Sequence, residues 1–385
     1  LNNFFGLNYS SEKDLPSLGN YEFKEYGVFF ELLTLTTEKI FNINSYKDIF
    51  FLKHLLTHIF FIFAIISLFK IIFKNTNNLY LSFWSALTLY TSPRIFAQSF
   101  YNNKDIIFLS LLVVSIYFIF EFFKKKDNRN LFLSCLFLAL LTATRIIGFY
   151  FFLIFIIFLI LEVFENKKNH INFKKFLKIA TAYFIFTYLF WPLLWADPLN
   201  NFIFSLNSMS DYNWSGFVFY LGKYHHSFFL PWHYVPVWIL ISSSLFLVIL
   251  MIASAIFAIF RFIKRIIKIS HENNNFQLWK NHKEYLLYFN FFLIFIPLLG
   301  IIFNKSTLYT GWRHVYFVYP SLIIICSICI LYLTEYFRKN KIFKIFILSF
   351  CSLIIINNFY NLVKLHPYQN TYFNLLFEKK ANKYF

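Results

Sequence analysis

Ser92-Pro93-Arg94-Ile95-Phe96-Ala97-Gln98-Ser99-Phe100-Tyr101-Asn102-Asn103-Lys104-Asp105 is a polar island between two apolar stretches, and it carries Arg94, Lys104 and Asp105. A second island, Asn304-Lys305-Ser306-Thr307-Leu308-Tyr309-Thr310-Gly311-Trp312-Arg313-His314, sits the same way between two later apolar stretches. Charges beside a bilayer are costly unless they meet water, one another or a ligand, so both islands mark candidate sites.

Composition says what surrounds them. Of 385 residues, 59% are hydrophobic and 14% charged, with a mean hydropathy of +0.57. Soluble domains are about one-quarter charged. The chain is therefore read as an all-α, polytopic helical membrane protein. Its 59 Phe residues accompany abundant Ile, Lys, Asn and Tyr, a mixture that AT-rich codons explain better than a ligand does. A net charge of +18 would suit nucleic acid. In a membrane protein, however, basic residues mark cytoplasmic loops, so no nucleic-acid partner is expected. Cys135, Cys326, Cys329 and Cys351 all fall in apolar segments, and neither a disulfide framework nor a zinc site follows from them. His54 and His58 share a helix face, but with no Glu in the motif they are read as polar packing and no metal site is predicted.

Ten stretches are predicted to span: 49–72, 79–93, 105–123, 131–145, 147–164, 176–195, 236–262, 286–303, 314–334 and 343–362. Several fall below the roughly 20 residues a crossing needs, with 79–93 and 131–145 the weakest. The intervening loops alternate in charge. Those at 73–78, 124–130, 165–175, 263–285 and 335–342, with their helix ends, are rich in Lys and Arg, whereas most carboxylates fall in the others. The positive-inside rule then puts both islands, residues 1–48, loop 196–235 and tail 363–385 outside. The expected organisation is an outer segment 1–48 with interfacial helices, Phe23 to Phe41 being amphipathic, followed by a multi-span region 49–385. No signal peptide is legible and the chain opens at Leu1, so residues upstream of it are expected.

The polar investment lies on one face. Arg94 and Lys104 could clamp a phosphate with Asp105 as base or acceptor ligand, while Arg313 offers a bidentate fork and His314 a further donor. The plainer readings are lipid snorkelling for Arg94, a helix N-terminus for Asp105 and interfacial anchoring for Arg313 and His314. Arg145 is a further unusual cation, either at the outer face or paired with a carboxylate. No Walker loop, dinucleotide fingerprint or nucleophile elbow is present, so ATP-driven transport by this chain is not expected.

Ser92-Pro93-Arg94-Ile95-Phe96 with Asn103-Lys104-Asp105 resembles an outer loop of bacterial relatives of the dolichyl-phosphate-mannose protein mannosyltransferases, the GT-C group that includes the lipid-A aminoarabinose transferases. Leu230 to Trp238, Leu308 to His314 and His366 to Asn374 resemble later stretches of that group, and Tyr26 to Glu31 resembles its first-loop interface helix. The resemblance implies a membrane glycosyltransferase that moves a sugar, with inversion, from a polyprenyl-phosphate donor to a hydroxyl of a lipid, glycan or protein acceptor. It implies a multi-pass protein of a bacterial inner membrane, among membrane lipids, with its site on the extracytoplasmic face. The implied site has Asp105 as catalytic carboxylate and Arg94, Lys104, Arg313 and His314 around the donor phosphate. Weaker acceptor or sugar contacts fall to Tyr26, Glu31, His54, Trp232 and His233. No cofactor is certain, a divalent metal being left open. The group's acidic first-loop motif has no convincing copy among Glu12, Asp14, Glu22 and Glu25, and is expected upstream of Leu1. A transporter or flippase of lipid-linked glycans is the rival reading, and a structural membrane subunit the third.

Overall fold

The computed structural model describes residues 24–165, 173–210, 214–271 and 277–385. Glu12, Asp14 and Glu22 lie outside these residues. A short helix, α1 (Phe29–Ile40), precedes a long one, α2 (Tyr46–Thr76). Next come α3 (Leu79–Tyr90), α4 (Pro93–Tyr101), α5 (Asp105–Lys125), α6 (Asn128–Thr142), α7 (Gly148–Glu165), α8 (Phe173–Phe190) and α9 (Pro198–Ser210). A hairpin, β1 (Phe217–Tyr220) and β2 (Lys223–His226), leads to α10 (Tyr234–Ile241), α11 (Leu245–His271), α12 (His282–Phe303), α13 (Val318–Tyr336) and α14 (Lys341–Lys364). A terminal turn, α15, covers Ala381–Tyr384.

Among the described residues, six helices are long and apolar enough to cross a membrane: α2, α5, α11, α12, α13 and α14. Of the other four predicted spans, α6, α7 and α8 are shorter apolar helices, and α3 has 12 residues. At 1.5 Å per residue α3 reaches about 18 Å against a hydrocarbon core of about 30 Å. The predicted span 236–262 is two helices. The chain turns at Ser242–Ser244, where Asn374 Nδ2 donates to the carbonyls of Leu240 and Ser243 (2.8 and 3.1 Å), supplying donors to carbonyls at the break. The helix expected over Phe23–Phe41 is α1, with Phe30 buried and Ile40 and Phe41 exposed.

Side-chain caps start several helices at one end of the bundle. Asn78, Asp127, Asn281 and Asn340 each accept a backbone N–H three residues on. The same end is laced by Lys74–Glu121 (2.9 Å), Lys126–Glu162 (2.6 Å), Arg261–Glu284 and Lys283–Glu335 (2.7 Å). Those pairs join the lysine- and arginine-rich loops that the charge alternation grouped together. At the opposite end lie the two polar islands, the hairpin and the C-terminal segment. α5 runs between them through the core, buried along nearly its whole length, and it ends among the islands at Asp105.

Candidate active site

Asp105 opens α5 through local chemistry. Its N–H donates to Asn102 Oδ1 at 3.0 Å, and Asn102 Nδ2 donates to its Oδ2 at 2.9 Å. The carboxylate is 4% exposed and two guanidiniums hold it. Arg145 Nη1 lies 2.8 Å from Oδ1 and Arg313 Nε 3.1 Å from Oδ2. Arg145 comes from the turn between α6 and α7, and Arg313 from the second island. A buried charge needs partners of this kind, because an unpaired one costs several kcal/mol.

Backbone packing brings a third segment in. A Cβ at Gly27 would collide with the Ala143 carbonyl oxygen, so only glycine lets the chain before α1 press against the turn that carries Arg145. Tyr26 is thereby set beside the cluster, and Lys104 Nζ lies 4.1 Å from its ring centroid. Burial lowers the Lys104 pKa and Arg145 adds to that, while Glu31, Asp105 and Glu25 pull against it.

Two cavities meet at this cluster. A polar cleft of about 320 Å³ is lined by Gln98, Asn103, Lys104, Asp105 and Arg313. A mostly apolar groove of about 220 Å³ runs past Ile147, Tyr150, Leu206, Ile296 and Gly300 and ends at His314. Tyr26, Arg145 and Tyr309 line both. Burial pushes the His314 imidazole down to about 3, helped by Arg145 and Arg313 and opposed by Asp105. The ring is therefore neutral at ordinary pH. It packs edge-on to Tyr309 at 4.6 Å, and its buried Nδ1 has no hydrogen-bond partner.

The remaining sequence-named residues distribute unevenly. Asp105, Lys104, Arg313 and Tyr26 line the polar cleft, and His314 lines the groove. Glu31 acts on Lys104 electrostatically. Arg94 is a correction: it lines neither cavity. It donates through Nε to the Tyr372 carbonyl at 2.8 Å, with its guanidinium against the rings of both Trp238 (5.1 Å) and Phe373 (4.7 Å), which also pack on each other. A cation stacked on two aromatic faces and 9% exposed is a packing element. His54 packs on Phe50 of its own helix at 4.0 Å, away from both cavities. His233 Nδ1 is hydrogen-bonded to the Tyr220 hydroxyl at 2.7 Å, and Trp232, 68% exposed, lines a separate cavity beside Lys305. Arg145, Asn102 and Tyr309 join the site without having been assigned a site role from sequence. Among the described residues, no three His, Cys, Asp or Glu side chains gather as a metal site.

Residues 30–195, less than half of the chain, match the family described as dolichyl-phosphate-mannose-protein mannosyltransferase. The crystal structure of ArnT from Cupriavidus metallidurans bound to undecaprenyl phosphate superposes with a TM-score of 0.51 at 10% sequence identity. The fold is of the GT-C type. The likeness covers 88% of this chain and 60% of that one, so the chain spans about three-fifths of that structure's length. No curated protein sequence matches the chain. In this GT-C-type bundle the family match covers α1 through α8, and so includes Lys104, Asp105 and Arg145, whereas Arg313 and His314 lie beyond it.

Proposed function

We propose that the chain is a membrane glycosyltransferase. It takes a sugar from a polyprenyl-phosphate donor and passes it to an acceptor hydroxyl at the extracytoplasmic face of a bacterial inner membrane, inverting the anomeric carbon. The observation that carries this reading is the pair of guanidiniums, Arg145 and Arg313, holding one carboxylate where a polar cleft meets an apolar groove. An amphiphile with an anionic head and an apolar tail fits the groove and its cationic end. A polyhydroxyl acceptor fits the cleft.

In the reaction, the acceptor oxygen bonds to the anomeric carbon as the bond from that carbon to the phosphate oxygen breaks. The hydroxyl proton passes to a carboxylate, and polyprenyl phosphate leaves with the bonding pair. Developing charge on the leaving phosphate is stabilised by fixed cations. Arg145 and Arg313 supply them, with His314 as a neutral donor. In the ligand-free protein both Asp105 oxygens are engaged. Arrival of the phosphate draws the guanidiniums toward it and frees Asp105 to accept the proton.

Cells overproducing the full chain test the proposal. The wild-type chain should deplete one polyprenyl-phosphate-linked sugar from the membrane pool, and Asp105→Asn, made to the same level, should leave the pool intact. Equal depletion by both forms would remove Asp105 from the chemistry. Depletion by neither would remove the reading.

A further inference from the structure

The groove has a notch in one wall. Four residues of α12, Ile296, Pro297, Gly300 and Ile301, turn toward it, spaced as one helical face. Pro297, buried inside the helix, removes one backbone donor there. Gly300, one turn further on, adds nothing: a Cβ built there meets no atom within 4 Å. On the same helix Ile296 and Leu299 are exposed, and across the groove Tyr150 is too, so the notch opens at the surface of a helix long enough to cross a bilayer. Its inner end is Arg145 and His314, the latter with a buried, unpartnered Nδ1.

Glycine is a poorer helix former than alanine, and Gly300 stands in the last turn of α12, where its carbonyl accepts from the Asn304 N–H. Close packing is the common reason to keep one there, and nothing packs on Gly300. What the missing side chain leaves is space, contiguous with a groove of about 220 Å³. We propose that Gly300 is a specificity-determining residue: its bare face, beside Pro297, is the passage by which the lipid chain of an anionic prenyl lipid enters from the bilayer and lays its phosphate against Arg145 and His314. This rests on the glycosyltransferase reading for the identity of the lipid. It adds that side-chain volume at position 300 decides which chains can enter.

The test uses the full chain in nanodiscs of phosphatidylethanolamine and phosphatidylglycerol, with undecaprenyl phosphate as the probe and bound lipid counted by native mass spectrometry. The wild type should bind the probe saturably. Gly300→Ala should stay within roughly threefold, and Gly300→Leu should lose about tenfold or more in affinity. The thermal midpoint should not fall in either variant, because the added atoms point into open space. Gly300→Val repeats the test should the leucine variant fail to fold. Wild-type-like affinity in a folded Leu or Val variant overturns the passage while leaving the glycosyltransferase reading in place. A wild-type protein that takes undecaprenyl phosphate no better than phosphatidylglycerol overturns both.

Discussion

Arg313 Nε stands 3.1 Å from Asp105 Oδ2, a pair that joins the two polar islands across about half the length of the chain. Arg145 holds the other oxygen at 2.8 Å. The pairing makes the islands one site, and it predicts that their substitutions do not act independently. Asp105→Asn and Arg313→Ala should each lower transfer by about a hundredfold. The double variant should fall well short of the product of the two losses, as residues in direct contact do. A double-mutant cycle on initial transfer rates reads this directly, and full additivity would show that the two groups work apart.

Arg145 is 8% exposed, and its removal leaves one oxygen of the buried Asp105 carboxylate without its cation while Arg313 and Asn102 hold the other. Arg145→Ala should therefore destabilise the protein by about 3 kcal/mol as well as abolish transfer. Arg145→Lys keeps the charge but not the fork geometry, so it should recover most of the thermal stability and little of the activity. Melting in detergent beside a transfer assay separates the two effects.

Arg94 should behave in the opposite way. Its guanidinium lies against both Trp238 and Phe373, and its Nε donates to the Tyr372 carbonyl. Arg94→Ala removes that stacking and leaves a buried carbonyl short of a donor. A loss of about 2 kcal/mol in stability is expected. The activity of the protein that remains folded should be near normal, with KM for the lipid donor unchanged. A selective rise in that KM would return Arg94 to the phosphate site.

His314 gives a pH signature. Burial holds its folded-state pKa at about 3, below the ordinary histidine value of 6.5. Between these values the unfolded chain binds a proton that the folded one does not, so folding stability falls as pH drops from about 6.5 toward 3 and is fully present above 6.5. His314→Gln should flatten that part of the stability curve. Between pH 7 and pH 4.5 the wild-type denaturation midpoint should fall further than that of the variant, so that the wild type loses stability relative to the variant at the lower pH. A parallel response would place the acid sensitivity elsewhere.

How far the sequence carried these conclusions varied with the kind of signal. Long apolar runs made α2, α5 and α12 to α14 legible, because span length and hydropathy are local properties. The break at Ser242–Ser244 was not legible, since the residue bonded to its carbonyls, Asn374, lies far along the chain. Asp105 and Arg94 carry one local signature, a charge in a polar island beside apolar helices. Only tertiary packing separates them, one charge being met by two guanidiniums and the other by two aromatic rings. Arg145 stood out as a cation inside an apolar stretch, but which carboxylate it meets depends on the approach of three loops. Gly300 gave no signal, because its contribution is empty space and empty space has no sequence pattern.

The central claim is that a bond is broken between sugar and lipid phosphate. Its most direct test is the fate of a doubly labelled donor. The purified full chain in proteoliposomes would be given polyprenyl-phosphate sugars extracted from a cell envelope, labelled separately in the sugar and in the phosphate, together with an envelope acceptor fraction. The predicted result is one polyprenyl phosphate released for each sugar gained by the acceptor, with neither product formed by Asp105→Asn. Movement of the intact labelled lipid from one leaflet to the other, with the sugar still attached, would contradict the account and establish the chain as a flippase.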